Sequence, residues 1–257
     1  RITNGNQTSG AGTGDYIAVD YRIEAQDIAN SGWNYTDPNS KITFSYWIRS
    51  SVAQNFYVTI KTDHGTDQNY AFETGSLSAN TWKKVTKTIP GNSNLQFDSN
   101  NTEGLRFRFL AFRGTDKTSS SYTLNTWGAY SSSARMPDNT STWYTTNDAQ
   151  FEMTGIQLEV GPVATPFEFR SFGDELSRCQ RYFYKPLTSD GNIYSGRWGN
   201  NSTNVNIFYP TQMRDTPTIG GSSRRSGGTS YVGKDYFNHQ VGQDDNWWEN
   251  FTATSEL

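Results

Sequence analysis

The acid–base chemistry open to this chain starts with its carboxylate pairs. A glycosidase needs two carboxyl groups facing one bond, roughly 5–9.5 Å apart. Asp63/Asp67, Asp148/Glu152 and Asp244/Asp245 are close in sequence. No spacing singles out one pair, and adjacent residues such as Asp244 and Asp245 on a strand point to opposite faces. Nucleophilic catalysis has less to work with. Serines are plentiful, but His64 and His239 are the two histidines, and the chain has no G-x-S-x-G turn. His64, within Asp63-His64-Gly65, reads as a turn residue. Gly227-Gly228-Thr229 lacks the lysine and the length of a phosphate loop. Cys179 is the single cysteine, which excludes an internal disulfide and a cysteine-based zinc site. It falls on the apolar stripe of a predicted helix and reads as a small core residue. These residues together predict a protein that is not an enzyme.

Sugar binding is better supplied. Protein–glycan sites stack the apolar face of a sugar on Trp or Tyr and fix its hydroxyls with Asn, Asp, Gln and Arg. Loops of the first part offer Trp33, Tyr35, Trp127, Tyr130, Trp143 and Tyr144; the last part offers Trp198, Tyr231, Tyr236, Trp247 and Trp248. The same rings also suit a core or an oligomer contact, because only nine leucines are present and aromatic residues must supply buried area. Tryptophans on strands, Trp47 and Trp82, read as core. Loop aromatics flanked by Asn, Ser or Asp stay open between the two readings. Two loci result: the loop 118–146 with Trp127 and Trp143, and a tip over 231–248 with Tyr236, Trp247 and Trp248. The tip is the first choice. Its aromatics stand among Asn, Asp and Gln, and consecutive Trp247 and Trp248 on a strand would face opposite ways, one anchoring the core and one exposed.

The elements that must hold these residues are β-strands. Of 257 residues, 81 are Asn, Ser or Thr, a polarity that would suit disorder if the chain did not also carry 15 Phe, 15 Tyr and 8 Trp. Few leucines, many threonines and aromatics, and 23 glycines read as β-structure with many turns. Period-two alternation marks Lys41–Arg49 (Ile42, Phe44, Tyr46 and Ile48 on one face), Phe56–Thr62, Trp82–Ile89, Leu105–Phe112 and Gln150–Val160, with a change of parity at Thr154-Gly155 that predicts a bulge. Asp15–Ile28 and Tyr70–Glu73 add strands. About eight short strands between turns predict an all-β chain whose first domain, 1–172, is a two-sheet jelly-roll sandwich. The stretch Asp174–Lys185 is the one convincing helix, with Leu176, Cys179 and Phe183 on one face and Ser171 placed to cap it. It opens a small β-rich domain over 173–257. Basic residues number 22 and acidic residues 25, a net charge of −3 that argues against nucleic acid. No apolar run approaches the ~18 residues of a membrane span.

Three stretches then stand out as a series: Phe151-Glu-Met-Thr-Gly-Ile-Gln-Leu-Glu-Val-Gly161, Ala164-Thr-Pro-Phe-Glu168, and Asp174-Glu-Leu-Ser-Arg-Cys-Gln-Arg-Tyr-Phe-Tyr184. With Ile42-Thr-Phe-Ser-Tyr-Trp-Ile48, Asn80-Thr-Trp-Lys-Lys-Val85, Leu124-Asn-Thr-Trp127 and the closing Phe251-Thr-Ala-Thr-Ser-Glu-Leu257, the chain resembles a tail-fibre-like family of tailed-phage virion structural proteins. In that family a carbohydrate-binding-module-like jelly roll is followed by a helix and a small C-terminal β domain. The resemblance implies a virion appendage with its natural C-terminus at Leu257. It also implies a homotrimer, other virion proteins met through an upstream segment, and a host surface glycan met as receptor. A capsid-associated fibre or decoration protein is the alternative, and a polysaccharide depolymerase a third. The short helix would bury Leu176, Cys179 and Phe183 against neighbouring subunits. Jelly rolls of this resemblance also carry a structural calcium, for which Asp15, Asp20, Asp148 and Glu152 are the oxygen donors on offer; solvated turn carboxylates are the other reading.

Overall fold

Strict alternation over Lys41–Ser50 turns Ile42, Phe44, Tyr46 and Ile48 to one side. In the computed structural model these four side chains are buried between two antiparallel sheets. The structure describes residues 1–6, 9–186, 193–194, 196–197, 203–224, 227–242 and 247–256. The chain divides into two units, Arg1–Glu168 and Phe169–Leu257, so the break falls at Glu168 rather than at 172.

The first unit runs β1 (Ile2–Thr3), β2 (Tyr16–Glu24), α1 (Ala25–Ala29), β3 (Lys41–Ser50), β4 (Tyr57–Thr62), β5 (Gln68–Glu73), β6 (Lys83–Pro90), β7 (Glu103–Arg113), β8 (Gly128–Ala129), α2 (Thr142–Thr145) and β9 (Gln150–Val160). One sheet has the order β1-β9-β3-β6 and the other β2-β7-β4-β5-β8. This is the expected all-β, two-sheet sandwich. Its centre is aromatic, as the shortage of leucine demands. Phe44 of one sheet stacks on Phe107 of the other with ring centroids 4.5 Å apart, and Tyr46 meets Phe109 edge-on at 5.2 Å. Such pairs add about 0.5–1.5 kcal/mol each beyond the area they bury.

Local departures have local causes. The bulge expected at Thr154-Gly155 is present: pairing with β3 slips between Ser45 and Trp47, and Gly155 takes φ of 60°, a left-handed conformation that glycine adopts without steric cost. The segment Asp15–Ile28 is not one strand. It ends at Glu24, and α1 turns under the sheet, its first amides donating to the carbonyls of Thr102 and Asn100. Trp47 and Trp82 are exposed, not core. Trp47 has the opposite parity to Tyr46, and once Tyr46 faces the core Trp47 cannot.

The second unit holds α3 (Phe172–Gln180), β10 (Phe183–Tyr184), β11 (Ile193–Tyr194), β12 (Gly196–Arg197), β13 (Thr203–Phe208), β14 (Thr218–Ser223), β15 (Thr229–Val232), β16 (Tyr236–Val241) and β17 (Trp247–Thr254). Ser171 accepts a hydrogen bond from the Asp174 amide at 3.2 Å, a cap worth about 1 kcal/mol. The helix is shorter than expected because Phe183 and Tyr184 pair with Thr254 and Ala253 as β10 instead. β17 is flanked by β14 on one side and by β10 and β11 on the other; a second sheet has the order β12-β13-β16-β15. Val205, Ile207, Phe237, Trp248 and Phe251 fill the core of this unit. The supposed tip around Tyr236 is therefore an inner strand. In β16, Phe237, His239 and Val241 are buried, while Tyr236 is exposed.

Candidate functional site

Most of the loop tryptophans are structural. Trp143 is fully buried, its indole N–H donating to the Gln150 carbonyl at 3.0 Å. Trp127 is buried against Tyr70, with its indole N–H on the Pro90 carbonyl at 2.8 Å. Trp33 is buried and donates to the Ser40 carbonyl. Trp248 packs edge-on against Phe237 at 4.7 Å and donates to the Gly220 carbonyl, so it is the anchor of the Trp247–Trp248 pair. These rings cannot stack on a ligand: the loops fold back over the sheet ends, and each indole nitrogen finds a carbonyl inside. Tyr236 and Trp247 keep accessible surface, but they belong to different sheets. The Arg224 guanidinium lies 3.8 Å over the Trp247 ring. Trp198, Asp244 and Asp245 lie outside the described residues.

The other expected sets also separate. Leu176, Phe183 and Cys179 are exposed, and α3 buries none of its residues, so Cys179 is not a core residue. The four calcium donors are not brought together. Asp20, on β2 of one sheet, is gripped by Arg108 through two hydrogen bonds of 2.7 and 2.6 Å. Glu152, on β9 of the other sheet, is held by Arg1 and Arg49. Asp15 accepts from the Gly12 amide and the Tyr144 hydroxyl, and Asp148 is exposed. The residues do not fit a calcium ion, and among the described residues no group of three or more His, Cys, Asp or Glu could hold a metal. Asp63 and Asp67 both pair with Lys61, at 2.5 and 2.7 Å. His239 is buried on Ser230, and burial pushes its pKa below the usual 6.5.

What the fold does assemble lies on the outer face of the five-stranded sheet. In β7, Phe107 and Phe109 face the core, and Arg106, Arg108 and Leu110 face out. Ala111 then bulges: Ile17 pairs with Phe112 but Ala18 pairs with Leu110. The extra residue puts both Ala111 and Phe112 in the core and turns Arg113 outward, opposite Tyr16 on β2. The Tyr16 ring lies 5.6 Å from the Arg108 guanidinium and 5.3 Å from that of Arg113. A second pair of cations flanks Tyr130, with Lys61 and Arg135 each 5.1 Å from its ring.

The long loop after β7 is fixed in place. Met136 is buried against Leu110 and Ala71 on the outer face. The Arg135 amide donates to the Lys117 carbonyl, and the buried Asn69 amide donates to the Arg135 carbonyl at 2.8 Å and to the Tyr122 hydroxyl at 2.6 Å. Tyr130 is tied by its amide to the Asp67 carbonyl. A long loop with little sequence period thus delivers Tyr130 and Arg135 on a rigid frame.

The electrostatics of this cluster are unequal. Burial works to raise the Asp20 pKa, but hydrogen bonding and charge from Arg108, with Arg106 and Arg22 adding, hold it below the usual 3.8. Its folded pKa is below its unfolded one, so the pair stabilises the fold fully above about pH 4 and that contribution is lost as pH falls through the folded pKa. An Asp20→Asn variant is expected to lose melting temperature less steeply than the native chain on acidification below about pH 4; parallel melting curves against pH would contradict this role. Arg113 is different. It is 3% exposed, and burial first, then Arg108 and Arg135, push its pKa down to about 10. It stays charged at neutral pH, and no carboxylate is among the groups that act on it.

No protein-family model matches the chain, and no curated protein matches it.

Proposed function

We propose that this chain is a non-enzymatic part of a phage appendage, of tail-fibre type, that attaches the virion to glycans on the host surface. The observation that carries the reading is the cluster of Tyr16 and Tyr130 with Arg108, Arg113, Arg135 and Lys61 on one sheet face. Partly exposed aromatic rings supply stacking surfaces for a sugar, and fixed guanidinium and ammonium groups supply donors for its oxygens. Of the described carboxylates that would serve a glycosidase, Asp63 and Asp67 are tied to Lys61 and Glu152 to Arg1 and Arg49, which agrees with binding without turnover. The virion assignment rests on the resemblance of the strings at 151–161, 164–168 and 174–184.

Three copies would act together. Phe172 and Leu176 on α3 and Phe183 on β10 are each exposed, and burying them between subunits would remove their apolar area from water. Single glycan contacts are weak, and three-fold display raises their combined avidity. The assembly is expected to be trimeric by multi-angle light scattering and to become monomeric in a Leu176→Asp/Phe183→Asp variant; a native monomer would defeat the trimer. The role itself is tested by a glycan array probed with the purified chain, together with its competition for phage adsorption. Immunogold labelling of intact particles then locates it. Array silence, no competition, or gold on capsids instead of tails would each reject the corresponding part.

A further inference from the structure

Arg113 is more than nine-tenths buried, and its Nε and one terminal Nη have no hydrogen-bond partner. The Arg135 Nε, also buried, has none either. Arg108 is balanced by Asp20, whereas Arg113 and Arg135 have no described carboxylate against them. An uncompensated buried guanidinium is costly, and placing two more guanidiniums beside it raises the cost. The sequence could have avoided that cost with methionine or leucine at 113. Instead the β7 bulge turns this side chain out of the core and into the positive cluster. The ring of Tyr16, the first residue of an edge strand and 56% exposed, lies 5.3 Å from its guanidinium.

We propose that this cluster binds the carboxylate of an acidic sugar, which moves the Tyr16 ring aside and takes the free N–H groups of Arg113 and Arg135. The proposal rests on the glycan-binding reading and names the sugar class for the same site. A guanidinium fork matches a planar carboxylate through two parallel hydrogen bonds, and the ligand's negative charge supplies the counter-ion the chain lacks. Tyr130, with Arg135 and Lys61 each 5.1 Å from its ring, lies beside these donors. Phosphate also pairs with a guanidinium fork through two oxygens, so a phosphate ester is the competing ligand that the test must separate from a carboxylate.

The test is saturation-transfer NMR on the native chain with sodium glucuronate, glucose and glycerol 3-phosphate at matched ionic strength. Transfer to glucuronate, absent for glucose and reduced about tenfold or more in Arg113→Met and Arg135→Gln, is the expected result. The melting temperature of Arg113→Met should stay level or rise, because an unpaired buried charge is removed. If that variant melts lower, Arg113 has a structural role and Arg135→Gln decides the binding. Equal transfer to glucose overturns the acidic class and leaves the glycan reading standing. Transfer to glycerol 3-phosphate but not glucuronate overturns the carboxylate in favour of phosphate. Silence from all three overturns the site, while array binding and adsorption still decide the wider role independently.

Discussion

Replacing Trp143 by alanine is expected to cost the first unit about 3–5 kcal/mol, the range for emptying a buried aromatic site. For a unit of this size that is a fall of roughly 10 °C or more in melting temperature. Three attachments make the position demanding. The ring meets Phe151 edge-on with centroids 6.3 Å apart, its indole N–H donates to the Gln150 carbonyl, and its backbone amide is satisfied by the Gln54 side chain at 2.9 Å. Alanine would leave a cavity and lose the indole hydrogen bond, while the Gln150 carbonyl keeps its bond from the Ser51 amide at 3.1 Å. A tryptophan placed on the surface for a ligand would behave otherwise: its truncation would change stability by about 0.5 kcal/mol at most and reduce binding. Thermal unfolding of the variant therefore separates the two roles. A near-native melt would return Trp143 to the list of glycan contacts.

Gly114→Ala should be nearly as damaging, for a different reason. A methyl group there would come within 3.0 Å of the carbonyl oxygens of Gly12 and Thr13, which are backbone atoms that cannot rotate away. The Gly114 amide also donates to the Asp15 carbonyl at 2.7 Å, so the two segments are in direct contact. The expected loss is roughly 3 kcal/mol, at the high end for overpacking because backbone must shift. The displaced segment leads into Tyr16, and Arg113 is the preceding residue, so glucuronate transfer should fall with stability. Gly128→Ala is the control, since nothing lies within 4 Å of the added carbon and φ is not positive. Equal melting of the two variants would show that the contact at Gly114 is relaxed at no cost.

Several features were readable from residue order alone because they follow from one strand's own period. The inward face of β3 and the bulge at Gly155 are of this kind. The exposure of Trp47 follows from the same alternation, and treating every strand tryptophan as core overrode it. Phe237, His239 and Val241 also alternate, which is enough to make 236–241 a strand with one buried face and not a loop tip; the surrounding Asn, Asp and Gln outweighed that signal. Other features depend on partners distant in the chain. The burial of Trp127 and Trp143 needs the loop after β7 to fold back on carbonyls of β6 and β9. Arg106 and Arg108 could be seen as an outward pair. Arg113 could not be placed with them, because its direction depends on the extra residue at Ala111, and that is defined only by pairing with β2. Arg135 reaches the same cluster through hydrogen bonds to Lys117 and Asn69 that no local pattern announces.

The pairing of β1 with β9, which sets Ile2 opposite Phe151, bears on how the chain is made. β3 too gains one of its two neighbours only from β9. A ribosome adding ~5–20 residues per second needs on the order of ten seconds or more to travel from one of these strands to the other. Through that interval the sheet of β3 and β6 lacks its closing partner, and rings such as Phe44 and Tyr46 have half a cover. Nascent chains halted before Phe151 should be open to protease and prone to capture by chaperones, and the sandwich can close only after β9 clears the exit tunnel.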